Sequence, residues 1–509
     1  MQTVYVTDDG SRVVQPGWDV DIAFGATVTG LVIPDATQPS GYKAVAVTVG
    51  ADSTFSVPGV PFGDYFIQVD LVSSRILGSD TVLVSDRMLY EASTNTPDLS
   101  MVLAKRAGAS PINALGSDDT MTTLSFSGLA PISSQDTFKF FATQYFLNAN
   151  FPERELSPAP DAGSTQFSAG IFWDERAFGV RPVAAKGDAE YVIQRRQTTD
   201  AGVTDQETLS FAKVSDFTYV DGGPNSMTAV FAAPSQTGAL PSELQFSAFD
   251  AMSDAIHPDA GGSTADFTQP TIAVVGIPHS ATFPNQPITL MPGPPIIVDF
   301  GLDSEFLIDQ APQAFQFKSL AFPSPTADVT LSPAAASFPH FLDANWQESA
   351  EVLYFWDVPL AGSATNTFTM TGGGFYRSFA PPAQLPSPVA PQLGPPSAPL
   401  LNGTNAFNFQ TGVGTQPTIS WSPPALGTAS KYFVTVVPAT SFKDNDIASL
   451  TVVLYDKTSL KLPDGFLKAG TPYCGIITAM SSPDRLNSPI LGLGSPRVEV
   501  NTIFGLFQP

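Results

Sequence analysis

Short runs of alternating apolar and polar residues recur along most of the chain, and glycine or proline separates one run from the next. Alternation with a period of two places one face of a β-strand in a core and leaves the other face polar. The first hundred residues contain such runs at 19–33, 42–49, 53–57, 64–72 and 80–85. The pattern therefore predicts an all-β N-terminal region.

The stretch SVPGVPFGDYFIQV, residues 56–69, shows this pattern most clearly. Its prolines and glycines predict a turn, because proline fixes φ and glycine accepts positive φ. In the run that follows, Tyr65, Ile67 and Val69 share one face. We expect a hairpin with one buried face rather than a substrate pocket.

The central region, residues 118–380, contains about ten further strand-like runs, which predicts two sandwiches or one large β structure. One segment, SSQDTFKFFATQYFLNANF at 133–151, also fits a helix with Ser134 as its N-cap. Its aromatic residues are so dense that a pair of strands fits the segment almost as well.

Composition shifts divide the chain. The segment APPAQLPSPVAPQLGPPSAPL, 380–400, has eight prolines and no charge, which favours an extended spacer with little tendency to pack. A softer boundary lies at 104–119, where the apolar alternation lapses. The predicted units are a β-sandwich at 1–105, the central β region at 118–380, a proline-rich linker at 381–400 and a last module at 401–509.

Charge and cysteine content narrow the function classes. The 509 residues carry a net charge of −24, which repels nucleic acid and anionic membrane surfaces, so we expect no nucleic-acid partner. The 38 phenylalanines argue against a disordered chain. The single cysteine, Cys474, excludes an intrachain disulfide framework. We also expect no transmembrane segment, and no signal peptide at the start of this sequence.

The N-terminal order ATVTGLVI, YKAVAVTV and GADSTFSVPGVPFGDYFIQV resembles the carboxypeptidase-regulatory-like, or transthyretin-like, β-sandwich. The positions that match the markers of that family are Gly30, Phe55, Val57, Val60, Gly63, Tyr65 and Val69. The resemblance covers residues 19–72. It implies a module that stiffens or spaces bacterial surface proteins and carries no chemistry of its own.

The last module resembles the fibronectin type III fold over about residues 395–509. The matching positions are Pro399, Trp421, the Pro423–Pro424 turn, Tyr432 and the corner formed by Leu467, Gly470, Thr471, Tyr473 and Ala479. The resemblance implies that Trp421 fills the sandwich centre and that the hydroxyl of Tyr473 bonds to the backbone at a corner. The Arg-Gly-Asp tripeptide is absent, so cell attachment by that route is not implied.

Few residues offer catalytic chemistry. The three histidines, His257, His279 and His340, form no HEXXH motif, and the sequence has neither a GXSXG elbow nor a phosphate loop. Cys474 lies in a predicted strand beside Tyr473. Since apolar burial raises the pKa of a thiol, we expect Cys474 to be structural rather than nucleophilic.

Acidic residues supply the two remaining candidates. The glycine-rich stretch 249–267 places oxygen ligands of the kind that calcium prefers, although its spacing is not that of an EF-hand and a solvated loop is the alternative. Its candidate calcium ligands are Asp250, Asp254, Asp259 and Asp266. Carboxylates on apolar strands that could pair for glycoside hydrolysis are Asp174, Glu175, Asp299 and Asp357. Trp173 and Trp356 precede two of them, either as sugar platforms or as ordinary core residues.

The most economical interpretation is an all-β, multidomain string of β-sandwiches exported by a bacterium. We expect a non-catalytic structural or adhesive component of the cell surface or an extracellular assembly. Its expected partners are other surface proteins, copies of itself in a homopolymer, or extracellular polysaccharide. The alternatives are a secreted carbohydrate-active hydrolase with a catalytic central region, and a sugar- or calcium-binding module.

Overall fold

The structure, a computed structural model, describes the greater part of each predicted unit. The described residues are 2–6, 12–16, 27–35, 37–38, 42–46, 66–77, 80–91, 101–103, 121–142, 161–172, 190–218, 225–258, 271–278, 315–322, 327–340, 346–361, 369–380, 382–439, 446–455, 457–481 and 497–509. Strands dominate these residues, so the all-β prediction is confirmed.

The strands and helices follow the alternating runs along the chain. The N-terminal strands are β1 (Gln2–Val6), β2 (Arg12–Pro16), β3 (Thr27–Pro34), β4 (Tyr42–Ala46), β5 (Phe66–Leu77), β6 (Asp80–Glu91) and β7 (Met101–Leu103). The central strands are β8 (Met121–Ser127), β9 (Asp136–Ala142), β10 (Gln166–Phe172), β11 (Glu190–Asp200), β12 (Val203–Val214), β13 (Asn225–Val230), β14 (Gln236–Ala239), β15 (Glu243–Leu244), β16 (Thr271–Pro278), β17 (Phe315–Ala321), β18 (Val329–Thr330), β19 (Ser337–His340), β20 (Trp346–Ala361) and β21 (Thr369–Ala380). The C-terminal strands are β22 (Ser397–Leu401), β23 (Thr404–Asn405), β24 (Gln410–Thr411), β25 (Thr418–Ser422), β26 (Lys431–Pro438), β27 (Asp446–Leu454), β28 (Ser459–Lys461), β29 (Tyr473–Ser481) and β30 (Arg497–Gln508). The short helices are α1 (Phe246–Asp250), α2 (Ser253–Ile256), α3 (Pro333–Ala336) and a 3-10 turn at Pro382–Gln384.

One long sheet runs through all three parts of the chain. Among the described residues its order is β4-β3-β5-β6-β27-β26-β29-β30-β21-β20-β16-β17-β12-β11-β9, with β24 alongside β30. The N-terminal strand β6 pairs in parallel with β27, and the last strand, β30, pairs antiparallel with both β29 and β21. The C-terminal module is therefore hydrogen-bonded to its neighbours on both edges.

The C-terminal module is a β-sandwich built from two sheets. One sheet contains β22, β25 and β28, and the facing sheet contains β27, β26, β29 and β30. Trp421 is buried between them, with its ring edge-on to Tyr432 at a centroid distance of 5.3 Å. The hydroxyl of Tyr473 accepts a hydrogen bond from the backbone N–H of Lys468 at 2.8 Å, so the predicted corner forms.

Strands of this module are buried on both faces. Every residue of β26 between Lys431 and Pro438 is buried, and β29 is nearly as inaccessible. In an isolated sandwich one face of each sheet meets water and the strands alternate. Burial on both faces explains why KYFVTVVP reads as a continuous apolar run.

A second, smaller sandwich lies in the central region. The sheet β10-β8-β13 packs against β9, β11 and β12, and the pairing of Phe211 with Ala232 joins the two at one edge. In its core Phe138 packs edge-on against Phe167 at 5.0 Å and lies beside Phe126. The helix considered at 133–151 is thus wrong for 136–142, where a strand carries Phe138 into this core.

In the N-terminal part, β3 pairs antiparallel with β4 and β5, and β5 with β6. Phe66 is buried. The side chains of Ile67 and Val69, and the turn predicted at 56–65, lie outside the described residues. The carboxypeptidase-regulatory-like resemblance therefore stays a prediction.

The proline-rich segment packs instead of standing free as a spacer. Leu385, Val389 and Leu393 belong to the main hydrophobic core. The backbone of Val389 also exchanges hydrogen bonds with Glu243 and Gln245, which extends β15. Apolar residues four positions apart among the prolines provide the buried contacts that proline content alone does not indicate.

Strands β29 and β30 pack closely at Gly475 and Phe504. A Cβ added at Gly475 would overlap the ring of Phe504, which is completely buried. We expect Gly475→Ala to lower the free energy of unfolding by about 1–3 kcal/mol, because overpacking forces a core ring from its place. Urea or thermal unfolding followed by circular dichroism measures the change.

Gly394→Ala is the matched control. A Cβ there would meet its nearest neighbours, atoms of Leu426, at 3.4 Å, an ordinary contact. We expect its stability to stay within about 0.5 kcal/mol of the unsubstituted protein. Equal losses for both substitutions would contradict the proposed packing of β30 on β29.

Candidate functional site

Cys474 is a core residue. It lies on β29 with no exposed surface, and its Sγ faces the carbonyl oxygen of Phe504 at 3.8 Å. Burial raises the pKa of this thiol to about 12. The thiolate is therefore strongly disfavoured at neutral pH, as expected for a structural cysteine.

The histidines do not converge within the described residues. His257 is buried at the end of α2, and its ring meets that of Phe407 edge-on at 4.9 Å. His340 ends β19, opposite Gln236, and His279 lies outside the described residues. This arrangement offers no shared histidine site in the described part of the chain.

The calcium candidates are only partly visible. Asp250 ends α1, Asp254 is exposed in the first turn of α2, and Asp259 and Asp266 lie outside the described residues. Burial, and to a lesser degree the charge of Asp250, raises the pKa of Tyr354. No three histidine, cysteine, aspartate or glutamate side chains among the described residues are grouped to hold a metal ion. The calcium site stays a prediction.

Trp356 cannot serve as a sugar platform. Its side chain is 0% exposed and packs beside Tyr354, at a ring-centroid distance of 4.8 Å. A platform needs an open indole face, so the core interpretation holds for this residue. The backbone of Asp357 pairs with Gly373 on β21. The other hydrolase candidates, Asp174, Glu175, Asp299 and Trp173, lie outside the described residues.

Two groups of charged side chains inside the central sheet were not predicted from the sequence. In the first, Asp136 is buried and accepts hydrogen bonds from Arg196 Nε at 2.7 Å, Gln194 Nε2 at 2.7 Å and the backbone N–H of Ser133 at 3.1 Å. The hydrogen bond from Arg196 to Asp136 is also the main reason that the pKa of the guanidinium is raised. Both oxygens of the Asp136 carboxylate therefore accept hydrogen bonds, and the group links β9 to β11.

The second group is built around Lys318 on β17. Its side chain is 2% exposed, with Nζ 2.7 Å from Oδ2 of Asp205 and 3.5 Å from Oε2 of Glu207, both on β12. Lysine is almost never fully buried without a partner. In the sequence, the indication of this group is a single lysine inside the apolar run AFQFKSLAF. That Asp205 and Glu207 lie on the neighbouring strand is known only from the fold.

No protein-family model matches the sequence, and no curated protein matches it. Among solved structures, the chain is similar to the FN1–FN3 domains of chicken CNTN1, with 12% sequence identity over 75% of this chain and 99% of that chain. The TM-score is 0.14, so this likeness carries no argument.

Across the described ranges, none of the helices has the length and apolar character needed to cross a bilayer.

The burial of Cys474 predicts its reactivity. At pH 8 the folded protein should not react with a thiol-specific reagent, because the pKa of the thiol is raised to about 12 and its Sγ is enclosed. After unfolding in guanidinium chloride, one thiol per chain should react. A spectrophotometric thiol assay measures both states, and rapid labelling of the folded protein would refute the structural role.

Proposed function

We propose that this protein is a non-catalytic structural component of a bacterial cell surface or extracellular assembly. It acts through its β-sandwich modules, and its partners are copies of itself, other surface proteins or extracellular polysaccharide. The observation that carries the proposal is the continuous sheet, which unites the N-terminal, central and C-terminal parts.

Backbone hydrogen bonds between strands join the N-terminal, central and C-terminal parts directly, without a flexible linker at these two junctions. Strand β6 pairs with β27 from Val84 to Tyr90, and β21 pairs with β30 from Tyr376 to Phe379. In a string of modules a flexible linker yields first under load. Here, separating the units requires breaking a row of backbone bonds and exposing buried apolar surface. Such a construction suits a load-bearing part.

The placement of reactive side chains also supports a structural role. Cys474 and Trp356 are buried in the main hydrophobic core, and His257 is buried with its ring against Phe407. A hydrolase would need some of its chemistry to face an open cleft. In the described part of the chain, the burial of these three side chains therefore favours a structural role over hydrolysis.

The net charge of the chain determines how strongly two copies repel each other. At −24 the chains repel one another at low ionic strength, and salt screens that repulsion over about 10 Å at 0.1 M. Association between copies should therefore strengthen as salt rises toward physiological concentration.

The proposal is tested by light scattering after size-exclusion chromatography, together with negative-stain imaging. We expect multimers or filaments whose fraction rises with protein concentration and with salt. Binding to extracellular polysaccharide without its cleavage would support the same role. A protein that stays monomeric in every condition and hydrolyses a glycan would overturn the proposal in favour of the hydrolase.

A further inference from the structure

Lys318, Asp205 and Glu207 share one face of two neighbouring strands. Strands β12 and β17 are antiparallel, with Glu207 opposite Lys318 and Asp205 opposite Leu320. Alternation places all four side chains on the same face. The Nζ of Lys318 therefore lies between two carboxylates, in contact with Asp205 at 2.7 Å.

The environments of these three side chains differ. Lys318 is 2% exposed, whereas Asp205 is 28% and Glu207 47% exposed. Within the described residues, Oδ1 of Asp205 is buried and has no hydrogen-bond partner. A buried carboxylate oxygen without a donor is costly, and so is a buried ammonium. An amide between the two side chains would remove the buried charges, and a neutral amide oxygen costs less to leave without a donor than a carboxylate oxygen does.

We propose that Lys318 and Asp205 are joined by an intramolecular isopeptide bond, formed by condensation after folding, with Glu207 as the proton carrier. Glu207 takes one proton from the ammonium, and the neutral Nζ attacks Cγ of Asp205. The N–C bond forms and the bond from Cγ to Oδ2 breaks. Oδ2 leaves as water with a second proton from the nitrogen and the one that Glu207 returns. Neither oxidant nor reductant is consumed.

Geometry supports each part of this step. Contact between amine and carboxyl replaces a bimolecular encounter with an intramolecular one, and exclusion of water around Lys318 disfavours hydrolysis. The exposure of Glu207 gives the departing water a route to solvent. In the product, the orphan Oδ1 becomes the oxygen of a neutral amide. The bond stands independently of the proposed surface role, since it concerns only the inside of the central sheet.

Mass spectrometry of the purified full-length chain under denaturing conditions tests the proposal. We expect a mass lower than that of the sequence by one water. Lys318 is the only lysine or arginine between Lys213 and Arg377, so trypsin reports on it directly. The expected digest keeps 214–377 uncut and attached to 197–213. Release of separate 214–318 and 319–377 peptides, with the full sequence mass, would overturn the proposal and leave an ion pair.

Variants assign the roles. Lys318→Arg keeps the charge but cannot condense, so its chain should show the full sequence mass. Lys213→Arg, at an exposed lysine on β12, is the control and should still lose one water. Glu207→Gln should slow condensation roughly 100-fold, as loss of a general base does, so uncondensed chain should accumulate in fresh preparations. Unslowed condensation in folded Glu207→Gln would remove Glu207 from the mechanism. If a variant fails to fold, the mass and digest of the unsubstituted protein still decide.

Discussion

Backbone hydrogen bonds along both edges of β30 hold the described architecture together. This strand completes the C-terminal sandwich by pairing with β29 and joins that sandwich to the central region by pairing with β21. A strand with two neighbours leaves no open edge, and its residues from Val498 to Phe507 are buried. The end of the chain is fixed as well, because the carbonyl oxygen of Pro509 accepts a hydrogen bond from Gly470. Together with the proline-rich segment, which is bonded to β15 through Val389, this strand fixes the position of the central sheet relative to the C-terminal module.

Placing a sandwich inside a larger sheet changes what its residues must be. The outer face of the sheet between β27 and β30 is also covered, as the burial of Phe433, Thr435 and Val437 shows. Polar groups on that face then need internal partners. Thr435 and Thr451 bond to each other through their hydroxyls at 3.0 Å, and Asn501 accepts from the backbone N–H of Phe375. The low charged fraction of 14% agrees with a fold in which few strand positions face water.

Local physics made part of this fold predictable. Strand alternation follows from one buried face, as the buried and exposed residues of β13 demonstrate, and the corner at Tyr473 uses residues only five apart. The pairing of β6 with β27 joins residues more than three hundred positions apart. Register between such strands is set by packing that no local pattern encodes. The packing of the proline-rich segment was missed for a related reason. Its apolar residues Leu385, Val389 and Leu393 are few, and the core that they contact is formed by residues distant in sequence.

The candidate sites illustrate the same division. Burial of Cys474 could be inferred because the apolar strand around it is local information. The contact between Lys318 and Asp205 could not be inferred. The reactivity of a lysine depends on the side chains that surround it, and Asp205 is 113 residues away along the chain. Asp136 with its donors shows how this sheet ordinarily accommodates an internal charge, by satisfying both carboxylate oxygens. Among the buried polar atoms without a hydrogen-bond partner in the described residues, Oδ1 of Asp205 is the one carboxylate oxygen. The sheet thus satisfies the carboxylate of Asp136 fully and leaves that of Asp205 in contact with a buried amine, where condensation would remove the charge on both groups and leave Oδ1 as a neutral amide oxygen, which is less costly without a donor.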